Sequence, residues 1–299
     1  MKTVSSMLKR NIKLFFKDKG LFFTALITPI ILLVLYTTFL GNVYKDALIQ
    51  SAGEGVVLSS KVINGFAGAQ LLSSILAVSP ITVPFCANML MVSDKVSGAR
   101  RDLLLTPIKQ SHLAVSYYLA TFIVSVIICA VATVISLVYI AFVGWFFTFL
   151  DVLLIFTDVI LLVMFGTALS SIINVFLSSQ GQISAVGSIV SSGYGFISGA
   201  YMPISNFSEG LKNIVAFLPG TYGTSLIRSH SLRGVLSEMS ALGVPKEDVK
   251  SIADTVDCTI YFFGTGVSTG ITYLILSLSI IAFLGLFVLI CKRKYKKSK

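Results

Sequence analysis

Charged residues are scarce in this chain, making up 12% of its 299 residues against about 25% in an ordinary soluble domain. With 55% hydrophobic residues and a mean hydropathy of +0.90, a soluble globule is excluded and an integral membrane protein is expected. Histidine is scarcer still: His112 and His230 are far apart, at the start of one apolar run and in a polar stretch. There is no HExxH and no GxxxxGK[ST] phosphate loop, so hydrolytic and nucleotide-binding signatures are missing. If the chain uses ATP, another chain supplies the site. The four cysteines are too few and too scattered for a disulfide framework or a metal site. The first apolar run is too long for a signal-peptide core and no small-residue cleavage pattern follows it, so no cleaved signal is expected.

What the chain has is long apolar runs. A hydrocarbon core of about 30 Å takes roughly 20 apolar residues per helix, and six runs qualify, at about 21–40, 65–92, 113–141, 152–177, 183–201 and 268–291. Hydrocarbon offers no partner to a free amide, so each is expected as a helix. Pro80 and Pro84 remove two backbone donors from the second and predict a kink. The net charge of +10 does not point to nucleic acid, because the basic residues flank apolar runs. Sixteen Lys and Arg lie before the first span, between the second and third, and after the last; seven are spread over the longer loops of the other side. Both termini are therefore expected in the cytoplasm of a multi-pass cell-membrane protein, with the basic flanks against anionic lipid.

Three elements stand outside the spans. Over 1–20, Val4, Met7, Leu8, Ile12, Phe15 and Phe16 recur at helical spacing, with Lys9, Arg10, Lys13 and Lys17 between them, which predicts an interfacial helix in the headgroup plane. Over 93–108, a polar segment holds Lys95, Arg100, Arg101 and Asp102 around Val96, Leu103 and Leu104, the composition of a short helix that presses into a protein surface. Over 202–267, an apolar stretch too short to span is followed at about 229–257 by a polar piece expected as a water-facing cap. Within it Pro245 opens a short helix with Val249, Ile252 and Val256 on one face.

The 93–108 segment resembles the loop between the second and third spans in the permease subunits of type-2 ABC exporters. Asp94, Lys95, Ser97 and Gly98, then Leu103, Leu104, Thr106 and Pro107, follow that pattern, while Val96 and Ala99 stand where relatives carry Glu and Thr. A second match follows the fifth run: a small-residue helix end at Ser198 and Gly199, Pro203, then Phe207, Leu211, Phe217, Pro219, Tyr222 and Arg228.

The resemblance implies an all-α integral membrane fold over 1–299: six transmembrane helices, an N-terminal interfacial helix, a cytoplasmic coupling helix and a membrane-dipping extracellular element before the sixth span. It implies a non-enzymatic permease subunit of an ATP-driven exporter of an amphiphile such as a drug, lipid, lipopeptide or glycan. The partners implied are a separate ATPase, which binds the ATP and Mg, and a second copy or a homologous permease. Asp94, Lys95, Gly98, Arg100, Arg101, Leu103 and Leu104 would couple to the ATPase. The pathway would run between the second and fifth spans, lined by Thr82, Phe85, Met89, Ser191, Tyr194, Ser198 and Met202. Small residues such as Ser184, Gly187, Ser188 and Gly195 favour close helix packing there. Asp158 is the one carboxylate well inside a span, which marks it for function or for a structural bond to a neighbouring Ser or Tyr. The alternatives are an ion-coupled secondary transporter, which would call for several intramembrane ionisable groups, and a membrane-embedded sensor or enzyme.

Overall fold

A computed structural model describes residues 2–51, 58–106 and 108–296. Met1, Pro107 of the loop motif and the last three residues of the basic tail, 297–299, lie outside them.

The chain opens with α1 (Lys2–Lys17), strongly amphipathic, its apolar edge burying Phe15 against the bundle. Asp18 then caps α2 (Lys19–Leu35), its carboxylate accepting the Leu21 N–H at 3.1 Å. A π-turn at Tyr36–Leu40 joins α2 to α3 (Gly41–Ser51) without a break. The turn places Tyr36 in the core, where its hydroxyl is 3.0 Å from Ser74 and its ring stacks on Tyr44.

The centre of the molecule is α4 (Ser60–Val96), which carries Pro80 and Pro84 without a break. All of 65–88 is buried, the mark of a helix enclosed by protein on every side. Gly98, at φ +86°, turns the chain sharply into the short α5 (Ala99–Leu105). Next come α6 (Gln110–Val143), α7 (Phe149–Phe176), started by a Thr148–Asp151 capping box, and α8 (Gln180–Ile197). After a 3-10 turn, α9 (Glu209–Val215) and α10 (Pro219–Ala241) follow, then α11 (Lys246–Thr255), a two-residue hairpin of β1 (Tyr261–Phe262) and β2 (Thr265–Gly266), and α12 (Thr269–Lys296). α4 is packed by α2, α3, α6, α7, α8 and α10.

Five helical stretches among the described residues are long and apolar enough to cross a membrane: Lys19–Gln50, Ser60–Val96, Gln110–Val143, Phe149–Phe176 and Thr269–Arg293. The run expected as the fifth of six spans forms α8, whose Gln, Ser and Gly content keeps it out of that set.

The outer segment departs further from expectation. The cap expected over 229–257 begins as the second half of α10, and His230, Leu232, Val235 and Met239 are buried among the neighbouring helices. α10 inserts between α4, α7 and α12 rather than resting on them. Pro219 at its first turn and Gly243 just beyond its end are the start and stop residues such a helix uses. The helix that Pro245 opens is α11, and it buries Ile252, with Val256 just past its end.

Close approach of α7 to α4 depends on one glycine. Pro84 has no N–H, so the carbonyl of Pro80 has no helical partner, and Gly166 lies against that oxygen, where a Cβ would overlap it. Backbone on both sides cannot yield cheaply. Gly166→Ala is expected to lower stability by about 1–3 kcal/mol, read as a lowered Tm in detergent. Gly193, with open space where its Cβ would go, is the control: Gly193→Ala should stay within about 0.5 kcal/mol. Equal melting of the two variants would contradict this packing.

Candidate functional site

The residues expected to couple to an ATPase divide into two groups. Asp94 and Lys95 belong to the last turn of α4, and their polar atoms are engaged within the chain. The Asp94 carboxylate takes a two-pronged contact from Arg10 at 2.7 and 3.1 Å and the Tyr117 hydroxyl at 2.5 Å, tying α4 to α1 and α6. Hydrogen bonding to Asp94 raises the Arg10 pKa above its ordinary value. Lys95 donates to the Leu177 carbonyl at 2.6 Å, beyond the end of α7. These two side chains lock the basic end of the bundle.

α5 holds the remainder. Leu103 and Leu104 are half-buried against a small core of Met91, Leu113 and Tyr117. They fasten α5 to the bundle, whereas the expectation made them its outward anchors. The outward apolar atoms are those of Leu105, 86% exposed, and of Val96, 47% exposed at the end of α4, with Arg101 and Asp102 exposed beside them.

The expected pathway residues also separate. Thr82 and Phe85 are buried in the core, the Thr82 hydroxyl bonded to the Val78 carbonyl of its own helix, so neither lines an open face of this chain. Met89 packs on α8 at Gly187, where a Cβ would meet its Cε at 2.6 Å. Tyr194 reaches α10 over Gly220, and Ser198 is buried at the end of α8. Ser191 and Met202 line a cavity of about 940 Å3 between α2, α3 and α8. Its walls are apolar, from Ile31, Leu35, Phe39 and Phe196, with Ser188 and Ser192 as the polar minority.

Asp158 is fully buried, and its partners come from two elements the sequence did not connect to it. Tyr273 of α12 donates to one carboxylate oxygen at 2.5 Å, and Nδ1 of His230 lies 2.6 Å from the other. His230, expected in a loop, thus sits inside the bundle on α10. Two arginines of α10 also have acidic partners. Arg233 pairs at 2.6 Å with the buried Asp151, whose other oxygen closes the capping box. Arg228, fully buried, contacts Asp257 at 3.2 Å and donates to the Gly199 and Ala200 carbonyls at 2.7 and 3.3 Å.

Arg228 thereby joins the small-residue helix end, the loop that holds Asp257 and α10 into one unit. Asp257 also accepts the Ile204 and Ser205 backbone N–H groups. Burial pushes its carboxyl above the ordinary value, opposed by Arg228 and by those two amides. The sequence reading missed Arg233, His230 and Asp257 as members of this system. The available signal was the placement of Arg228, His230 and Arg233 within one helical segment between the Pro219 and Gly243 helix limits.

Removing one partner of a buried pair strands the other, at about 3–5 kcal/mol. Arg228→Met should lose that much in thermal unfolding in detergent, and Arg228→Met/Asp257→Asn should regain part of it. A double variant that loses the full sum of the two single losses would contradict the pairing.

The sequence profile of the ABC-2 type transporter family matches residues 2–231, from α1 through the half of α10 that carries Arg228 and His230. No curated protein matched the chain. With a family match over most of its length, and with the loop turn and the Arg228 junction formed as described, the chain belongs to the ABC-2 type transporter family.

Proposed function

We propose that this permease is the transmembrane subunit of an ATP-driven exporter of an amphiphilic substrate. It sits in the cell membrane with both termini in the cytoplasm and α8 serving as the fifth of six spans. The observation that carries the reading is the outward face formed by α5 and the end of α4: exposed Leu105 and Val96 beside Arg101 and Asp102, held at the end of the bundle where basic residues concentrate. An exposed apolar pair rimmed by charge is the composition of a protein contact, and a permease without its own phosphate loop needs such a contact to receive work from ATP bound, with Mg, by a separate subunit.

The cavity between α2, α3 and α8 supports an amphiphile as substrate, since its walls are apolar with a few hydroxyls and its size falls in the range of small-ligand sites, about 300–1,000 Å3. A second copy of the chain, or a homologous permease, would cover the small residues of α8 outside the cavity, where Ser184 and Ala185 are exposed.

Ion coupling is the second reading, and the buried Asp158–His230–Tyr273 cluster is what favours it, because intramembrane ionisable groups mark proton and ion pathways. Against it, Asp151 and Asp257 each have an Arg partner, as expected of a structural network.

The test is co-purification of the ATPase. Truncating one well-packed interface anchor costs about 2 kcal/mol, roughly a 30-fold fall in affinity. Val96→Asp/Leu105→Asp should therefore release the ATPase in detergent while the permease still inserts. Retention at the parental level would overturn the assignment of this face.

A further inference from the structure

A second cavity, of about 450 Å3, lies at the basic end of the bundle, walled by the ends of α4, α6, α7 and α12 and flanked by α5. Three cations line it, Lys95, Arg100 and Arg101, and among the described residues no Asp or Glu does. Asn174 of α7 lines it too. That side chain is 2% exposed, and its amide nitrogen has no hydrogen-bond partner among the described residues. Burying such a donor unpaired is costly, so native structures place an acceptor there. Oε1 of Gln110, on the same lining, is an unpaired buried acceptor, so the cations, the Asn174 donor and the absence of a lining carboxylate call for an anion with several acceptor oxygens that also carries a hydroxyl donor.

The rest of the cavity specifies what the anion is attached to. Its inner wall is apolar, with Leu113 and Phe287, and Cys291 on that wall leads directly into Lys292 and Arg293. Along α12 below the cavity, Leu286, Val288 and Leu289 are exposed, a surface suited to hydrocarbon. We propose that this cavity is a binding site for the phosphate of an anionic phospholipid on the basic side of the membrane, with Arg101 as the forked donor, Asn174 as the deep neutral donor and α12 against an acyl chain. The site is separate from the apolar cavity proposed for substrate, and the inference does not require the ATPase reading.

Lipid retention by the full-length chain, purified in detergent and measured by native mass spectrometry, tests this. Three arms are compared at matched concentration: phosphatidylglycerol, phosphatidylcholine and inorganic phosphate. The wild type should retain phosphatidylglycerol about tenfold over phosphatidylcholine, about 1.4 kcal/mol, because the choline cation would face the cations that line the cavity, and phosphate should not displace it. Arg101→Gln, an exposed position, and Asn174→Asp, which keeps side-chain shape but sets a carboxylate against the phosphate, should each remove that preference.

Equal retention of the two lipids, or an undiminished preference in Arg101→Gln, would overturn the proposal. Displacement by inorganic phosphate alone would assign the cavity to a soluble anion and overturn the lipid assignment. Crosslinking of Arg101 to a co-purified ATPase with the lipid preference absent would give the cavity to a protein partner, also overturning it.

Discussion

The architecture rests on the complete enclosure of α4. In a helix buried through 65–88 most polar side chains are satisfied without water, and mainly internally: Ser73, Ser79 and Thr82 bond to carbonyls of their own helix, while Asn88 reaches Ser170 and Ser171 on α7; the buried Gln70 amide is the exception among them. Six helices surround it. One of them, α10, comes from a segment whose composition alone reads as a loop. Enclosing α4 therefore brings Arg228, His230 and Arg233 of α10 against the bundle, where these polar groups need partners. Asp151, Asp158 and Asp257 supply them.

That arrangement links the two ends of the molecule. At the basic end, α4 finishes in Asp94 and Lys95, which fix α1, α6 and the segment after α7; the Gly98 turn then places α5 directly outside this lock. At the opposite end, Arg228, midway along α10, ties that helix to the end of α8 and to the loop that holds Asp257. The cavity that holds Ser191 and Met202 lies between α8 and the α2–α3 helix, where the packing is looser and the π-turn at Tyr36–Leu40 interrupts the regular hydrogen-bond ladder.

Much of this was legible in the sequence because it is local. The apolar spacing of Val4 to Phe16 gave α1, Pro245 and Ile252 gave α11, and length and hydropathy gave the long helices. What escaped is non-local. Asp158 could be recognised as a buried acid, but His230 is 72 residues away from it and no periodicity relates the two. Arg10 and Asp94 are 84 residues apart, so Asp94 read as a surface charge when it is an internal one. Leu103 and Leu104 were recognised as anchors of α5, but composition does not say which side of a short helix faces home. α10 was missed for a related reason: its charges look like those of a loop until their partners are known.

ATP-dependent movement of an amphiphile across proteoliposomes tests the central claim most directly. The permease would be reconstituted with its co-purifying ATPase and a fluorescent amphiphile, and movement followed with ATP and Mg, with a non-hydrolysable analogue, and with an imposed proton gradient. The account predicts movement that requires hydrolysis and the ATPase and proceeds without a gradient. Movement driven by the gradient alone, with the ATPase absent, would contradict it and make the Asp158–His230 pair part of an ion-coupled carrier.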